Sequence, residues 1–217
     1  CRHQRQIKDM FMIMIRYRSL VKAIIIVCPL LLLAAGCAGS KPSRFYMLSP
    51  VSGGPEGRAP ASECRDLAIG VGPVDFPEYL DRPQIVTRTG EDILKLAEHD
   101  RWAEPLERNF TRVLAENLSV LLATDRVYIF PWSRSVQVTH RVSVHVSRFD
   151  GTLGTDAVLN ARWMLLSGDG TRELAVRRSS FTEPVDAPAC QALVNAQARL
   201  IETLSREIAS AVLSLHR

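Results

Sequence analysis

Two long segments of the chain carry hydrophobic residues at intervals of three and four positions, the repeat of a helix with one apolar face. The first spans about 102–123 and the second about 189–215. Asp100 stands where an N-cap is expected for the first helix, and Pro105 is tolerated in a first helical turn. The apolar positions are Leu106, Phe110, Val113, Leu114, Leu118, Leu121 and Leu122, then Leu193, Leu200, Ile201, Leu204, Ile208, Val212 and Leu215. The pattern predicts two long amphipathic helices.

Between the helices the pattern changes to strict alternation. Over 136–147 five valines and His140 alternate with polar residues, which is typical of a strand with one buried face. The turn sequences FDGTLGTD and GDG follow, and each precedes a further strand, predicted at 157–166 and 172–181. These three strands form an antiparallel meander. Shorter strand candidates lie at 45–48, 66–74, 85–88, 93–96 and 126–131.

This order of elements predicts an α+β domain: a mostly antiparallel sheet with two long amphipathic helices packed on one face. A chain of 217 residues can build one such domain with a full core. We expect it to span residues 45–217. Residues 49–63 are rich in Pro, Gly and Ser without periodicity, so they are predicted to be a loop.

The N-terminal segment carries the basic excess of the chain. Residues 1–36 hold six Lys and Arg against one Asp, a charge of +5, and the whole chain carries +4, so the remaining residues sum to −1. The domain is therefore not basic, which removes the main support for a nucleic-acid partner. Three basic residues precede an apolar run at 23–33 that is shorter than the ~20 residues of a membrane span. Residues 1–36 are therefore interpreted as a signal peptide rather than a transmembrane helix.

The apolar run ends in LAAGC, in which Cys37 looks like the cysteine of a bacterial lipobox. Small residues let an extended backbone enter a membrane peptidase, and the thiol accepts the lipid. Cys37 is thus the predicted lipidation site, and residues 37–44 are a lipidated tether. The alternative is a buried cysteine after an ordinary secretory signal. Because Ala38 rather than Asp follows Cys37, we expect export to the outer membrane.

Two further cysteines, Cys64 and Cys190, belong to the domain. An even pair in an oxidising compartment is compatible with a disulfide. Two separate buried thiols are an equal alternative, since the sequence gives no distance. Neither cysteine has a neighbouring Cys or His at ligand spacing, so no metal site is expected.

The sequence contains no nucleophile elbow, P-loop, zinc-protease or dinucleotide motif. His140 lies on a valine face, where a core or edge histidine is expected rather than a ligand. The EHD segment at 98–100 is interpreted as helix capping, and Asp150 and Asp156 are interpreted as turn formers. We therefore predict no catalytic site, no cofactor and no enzymatic activity.

Four segments together carry a family resemblance: GPVDFPEYLDRPQIVTR, LAEHDRWAEPL, RVLAENLS and VSRFDGTLGTDAVLNARW. They resemble the PqiC (YmbA-like) lipoproteins, auxiliary components of ABC-type MCE lipid-transport systems. The resemblance implies a non-enzymatic outer-membrane lipoprotein facing the periplasm. It also implies a periplasmic MCE-domain protein and an inner-membrane protein as partners, and assembly into a homo-oligomeric ring at the end of the MCE tunnel.

Within that resemblance, Tyr79, Arg82, Trp102 and Pro105 are the candidate docking residues. The segment 79–83 is polar and interrupted by proline, which indicates a surface segment suited to docking. For Trp102, packing of the helix on the sheet is the alternative role. Two other functions stay open: a periplasmic ligand-binding or envelope-assembly lipoprotein with a TolB-N-terminal-like module, and, with least support, a periplasmic hydrolase.

Overall fold

The computed structural model describes residues 41–50, 66–90 and 92–216. The predicted signal peptide, Cys37 and Cys64 lie outside the described residues. The elements are β1 (Arg44–Tyr46), β2 (Ile69–Asp75), a 3-10 helix (Glu78–Leu80), β3 (Gln84–Arg88), β4 (Leu94–Trp102), α1 (Leu106–Leu121), β5 (Val127–Ile129), β6 (His140–Thr152), β7 (Asp156–Ser167), β8 (Glu173–Pro184) and α2 (Cys190–His216).

The larger sheet has five strands in the order β5-β2-β6-β7-β8. The antiparallel pairs β6–β7 and β7–β8 confirm the predicted meander. Strand β2 runs parallel to both of its neighbours, β5 and β6. A parallel pair needs a long crossover, and here the smaller sheet and α1 supply it. The predicted α+β class is confirmed.

The smaller sheet has three strands in the order β1-β4-β3. Strand β1 pairs in parallel with the last residues of β4, with Arg44 opposite Asp100 and Tyr46 opposite Trp102. Just beyond β1, the Leu48 backbone N–H donates a 2.6 Å hydrogen bond to Oδ1 of buried Asn109 in α1. The start of the domain is therefore fastened both to a sheet and to a helix.

Both helices contact the larger sheet and each other. The predicted apolar stripe of α2 is buried at Leu193, Leu200, Ile201, Leu204, Ile208 and Val212, whereas the predicted position Leu215, near the end of the helix, is 47% exposed. At one end of the core, Phe76, Phe110 and Phe149 form mutual edge-to-face contacts with ring centroids 5.2 to 6.1 Å apart. This geometry is favourable for aromatic rings, and it joins the end of β2, helix α1 and strand β6. Among the described residues no helix is long and apolar enough to cross a membrane.

The first helix begins later than predicted. It starts at Leu106 with Pro105 at its N-cap, whereas Asp100 and Trp102 belong to β4. Asp100 is therefore not a helix cap, because its carboxylate is bound by β1 side chains: Arg44 Nε and the Tyr46 hydroxyl each donate to Oδ1 at 2.7 Å. The interpretation of segment 98–100 as capping chemistry was wrong.

The long central strand also begins later, at His140 rather than residue 136. The hydroxyl of Thr139 donates to the Ala68 carbonyl at 3.0 Å, and the Thr139 N–H donates to the same oxygen at 2.7 Å. Ala68 is the residue immediately before β2. Its carbonyl satisfies the backbone N–H of Thr139 at a position where the alternating pattern had predicted a residue inside the long strand. From His140 onward the predicted alternation holds as far as Val146.

Candidate functional site

A β-bulge in β6 determines where Asp150 lies. The register shifts between Val146 and Arg148. Even-numbered residues therefore face the helices before the bulge, and odd-numbered residues face them after it. Before the bulge Val146 points toward the core, and after it Phe149 does so instead, opposite Leu159. Asp150 therefore lies on the sheet face away from the helices. The interpretation of Asp150 as a turn former was wrong, since it lies within β6 and its side chain is 0% exposed.

Three side chains hold the Asp150 carboxylate. Arg88 binds it with two hydrogen bonds of 2.9 Å, from Nε to Oδ1 and from Nη2 to Oδ2. Arg148 Nε donates to Oδ1 at 2.9 Å, and the Tyr79 hydroxyl donates to Oδ2 at 2.8 Å. We call these four residues the Asp150 cluster. It joins β6 of the larger sheet to β3 of the smaller sheet and to the 3-10 helix.

The pKa shifts of its groups indicate that the Asp150 cluster is a structural ion-pair cluster rather than a proton-transfer site. Burial alone would raise the pKa of Asp150, but the hydrogen bonds from Arg88, Arg148 and Tyr79 outweigh it and lower the pKa. Burial, and then the hydrogen bond to Asp150, raises the pKa of Tyr79 to about 12. At neutral pH the carboxylate is thus ionised and the phenol protonated, so neither group is poised to exchange a proton.

Next to the Asp150 cluster the chain forms a surface groove of about 300 Å³. One wall is Asp81–Pro83, directly after the 3-10 helix that carries Tyr79, and the other is Trp102–Pro105, between β4 and α1. The Trp102 N–H donates to the Pro83 carbonyl at 2.7 Å, which holds the walls together. We call this depression the Trp102 groove.

The groove combines an apolar floor with one unsatisfied donor. Trp102 is only 5% exposed, so its indole forms part of the floor and packs into the core. Arg82 Nε is buried and has no hydrogen-bond partner among the described residues. On the rim, Glu104 is already engaged by Arg112 at 3.0 Å. The groove can therefore accept an apolar side chain.

Three of the four predicted docking residues, Arg82, Trp102 and Pro105, line this one groove although they come from two separate segments. Tyr79 does not line it. Its side chain points to Asp150 and fixes the 3-10 helix that precedes the Asp81 wall. The docking role of all four residues stays a prediction, and the low exposure of Trp102 is what its packing role requires.

Cys190 begins α2, and its side chain is buried. Burial, and then the negative charge of Asp100, raises the pKa of this thiol to about 11. Its predicted disulfide partner Cys64 lies outside the described residues, so the bridge stays a prediction. Within the described part of the chain no group of three or more His, Cys, Asp or Glu side chains is arranged to hold a metal ion.

Sequence reasoning missed Asp150 and Arg88, yet one signal pointed to them. Gly151 follows Asp150, and a Cβ at Gly151 would lie 2.3 Å from the Asp156 carbonyl oxygen. Glycine inside a strand indicates such a close backbone approach. The turn itself needs only Gly154, whose φ is +74°. Two glycines with different roles thus lie in one segment, and the first belongs to the strand that carries Asp150.

The structure defines a class of α+β domain with a surface groove beside a buried carboxylate cluster. The sequence profile described as "ABC-type transport auxiliary lipoprotein component" matches residues 46–209, so the chain belongs to this family. Intermembrane transport lipoprotein PqiC of Escherichia coli (strain K12) is 29% identical over 132 residues, which is 60% of this chain and 67% of that protein. The protein of the same name from Shigella flexneri matches equally well. The predicted family membership is confirmed.

Solved structures agree on the fold. Protein XCC0632 from Xanthomonas campestris has a TM-score of 0.65 at 15% identity, over 80% of this chain and 97% of that chain. An uncharacterized protein has a TM-score of 0.64 at 19% identity, over 79% of this chain and 99% of that chain. Sequence identities this low establish a similarity of fold and nothing about function. The family itself is one of lipoprotein components of transport systems and not a known enzyme family.

Proposed function

We propose that this chain is an outer-membrane lipoprotein of an MCE-type intermembrane lipid-transport system, anchored through Cys37 on the periplasmic face. It acts without catalysis, as a homo-oligomeric end piece on which the periplasmic MCE-domain protein docks. The family match over residues 46–209 carries the proposal, because it makes the chain one component of a transport system. The PqiC relatives, which are named for intermembrane transport, support the same function.

The Trp102 groove supports the docking part of the proposal. Its walls come from two segments of the family-like sequence, and the Asp150 cluster and the backbone bond from Trp102 to Pro83 hold them rigidly. A preformed concave surface binds a partner without an ordering cost.

Site-specific photocrosslinking in intact cells tests this proposal. A photoreactive residue replaces Ala103, which is exposed on the groove wall, and a matched variant carries it at Arg108, exposed on α1 outside the groove. We expect the Ala103 variant to crosslink to the MCE-domain protein, identified by mass spectrometry, and the Arg108 variant to give no such adduct. Crosslinks from both positions, or from neither, would contradict docking in the groove.

Membrane fractionation tests the location independently. The wild type is expected with outer-membrane markers, and Ala38→Asp is expected to move it to the inner membrane if that residue governs sorting in this organism. Wild type sedimenting with inner-membrane markers would contradict the proposed location and leave the groove experiment unaffected.

A further inference from the structure

The open face of the larger sheet carries a row of three basic side chains across strands β6, β7 and β8. In the strand register His145 lies opposite Arg162, and Arg162 lies opposite Arg178. All three side chains are exposed. Because the helices cover the other face of this sheet, the row faces outward. We call it the basic row.

The two arginines of the row are directly opposed like charges, an arrangement that destabilises a sheet. Neither arginine forms a hydrogen bond or ion pair with any residue that the structure describes. This contrasts with Arg88, Arg112, Arg148 and Arg199, each of which binds a carboxylate at 3.1 Å or less. The neighbouring Arg177 also has a carboxylate, that of Glu207, at 3.8 Å. The two arginines of the row are therefore positive charges without an ion-pair partner among the described residues.

Asp75 of β2 lies opposite His145 in the strand register and is exposed, so one acidic side chain flanks the His145 end of the row, but it forms no ion pair with Arg162 or Arg178. Asp150 lies on the same face after the bulge, but its carboxylate is fully buried and already bound by Arg88, Arg148 and Tyr79. Between Asp150 and the row stand Asn160 and Ser180, which hydrogen-bond to each other at 2.8 Å and carry no charge. The row and these two side chains line an open depression of about 620 Å³.

We propose that the basic row binds an acidic segment of a partner protein, whose carboxylates supply ion-pair partners for the two arginines. Arginine pairs suit carboxylates because each guanidinium can form two parallel hydrogen bonds. A lipid is a poorer fit, because none of the exposed large hydrophobic side chains found in the described residues lies on β6, β7 or β8. This surface is separate from the Trp102 groove, so the proposal does not rest on docking there.

Binding of a fluorescein-labelled glutamate-rich peptide to the full chain in a neutral detergent tests the proposal. The control peptide replaces every glutamate with glutamine. We expect saturable binding of the acidic peptide alone, weakened by salt. The double variant Arg162→Gln with Arg178→Gln should weaken binding by about two- to thirtyfold, the sum of two exposed ion pairs. The matched control, Arg108→Gln with Arg126→Gln, removes two exposed arginines outside the row and should leave the affinity unchanged.

Thermal unfolding checks that both double variants are folded. Removing the opposed charges should leave the melting temperature of the row variant equal to or above that of the wild type. Equal weakening by the two double variants would overturn the proposal, as would equal binding of both peptides. Binding of phosphatidylcholine–phosphatidylglycerol vesicles, or of inorganic phosphate, in place of the acidic peptide would also overturn it by assigning the row to another anion.

Discussion

The hydroxyl of Tyr79 donates a 2.8 Å hydrogen bond to Oδ2 of Asp150, across 71 positions of sequence. The bond connects the 3-10 helix at one wall of the Trp102 groove with the strand after the β6 bulge. Arg88 reaches the same carboxylate from β3. One buried acidic side chain thus holds together the elements that shape the candidate docking surface.

Replacing Asp150 with Asn should destabilise the fold by about 2–4 kcal/mol, because it removes the charge that compensates two arginines at a fully buried position. Urea unfolding followed by tryptophan fluorescence measures the free energy of unfolding. Asp125→Asn, at an exposed position, is the matched control and should change it by less than about 0.5 kcal/mol. Equal effects of the two variants would contradict the structural role of Asp150.

Tyr79→Phe removes one hydrogen bond and leaves both arginines on Asp150. The free energy of unfolding should fall by about 1 kcal/mol, less than for Asp150→Asn. In the double variant the Tyr79→Phe effect should shrink, since the two residues share one interaction. Additive effects of the two substitutions would show that the hydroxyl does not act through Asp150.

The pH dependence of stability follows from the lowered pKa of Asp150. A carboxyl group whose pKa is lower in the folded state stabilises the fold above its unfolded pKa, about 3.9 for Asp, and loses that contribution as pH falls through the folded pKa. Wild-type stability should therefore decline as the pH drops below about 4. Asp150→Asn should show a shallower decline in the same range, measured by urea unfolding at a series of pH values. Parallel curves would exclude Asp150 as a source of the acid sensitivity.

Cys37 is predicted to be the sole lipid attachment point. In cells fed labelled palmitate, Cys37→Ser should incorporate no label and should keep its signal peptide, because the acceptor thiol is missing. Cys190→Ser is the matched control, since it also removes one thiol, and it should still be labelled. Label in the Cys37→Ser protein would refute the assignment.

The predicted bridge between Cys64 and Cys190 would close a separation of 190 minus 64, or 126 residues. The chain-entropy model gives about 4–5 kcal/mol for a loop of that length. A non-reducing peptide map should contain the linked peptides. Alkylation has to be done in denaturant, because burial and the raised pKa of the Cys190 thiol slow its reaction in the folded protein. Both thiols alkylated under those conditions without a reductant would refute the bridge.

Local pattern was enough to predict much of the fold. Six of the seven predicted apolar positions of α2 are buried, Leu215 being the exposed one, and the meander β6–β8 follows from period-two alternation and two glycine turns. The helix and strand periodicities depend on neighbours within a few residues, and the sequence displays them directly. The family resemblance, in contrast, indicated Arg82, Trp102 and Pro105, which come from two segments that the structure brings into one groove.

Contacts between distant segments had to be decided by the tertiary structure. Asp100 resembled a helix cap, but Arg44 and Tyr46, more than fifty positions earlier, hold it in a strand. From its sequence neighbours, Asp150 resembled a turn residue. In the structure, a one-residue bulge places it on the other sheet face, where Arg88 and Tyr79 bind its buried carboxylate. A one-residue bulge moves every later side chain of the strand to the opposite sheet face. The local sequence preferences of an aspartate are the same whether or not an arginine from a distant segment binds its carboxylate. Residue spacing therefore determined the elements, and long-range charge pairing determined which polar residues became structural.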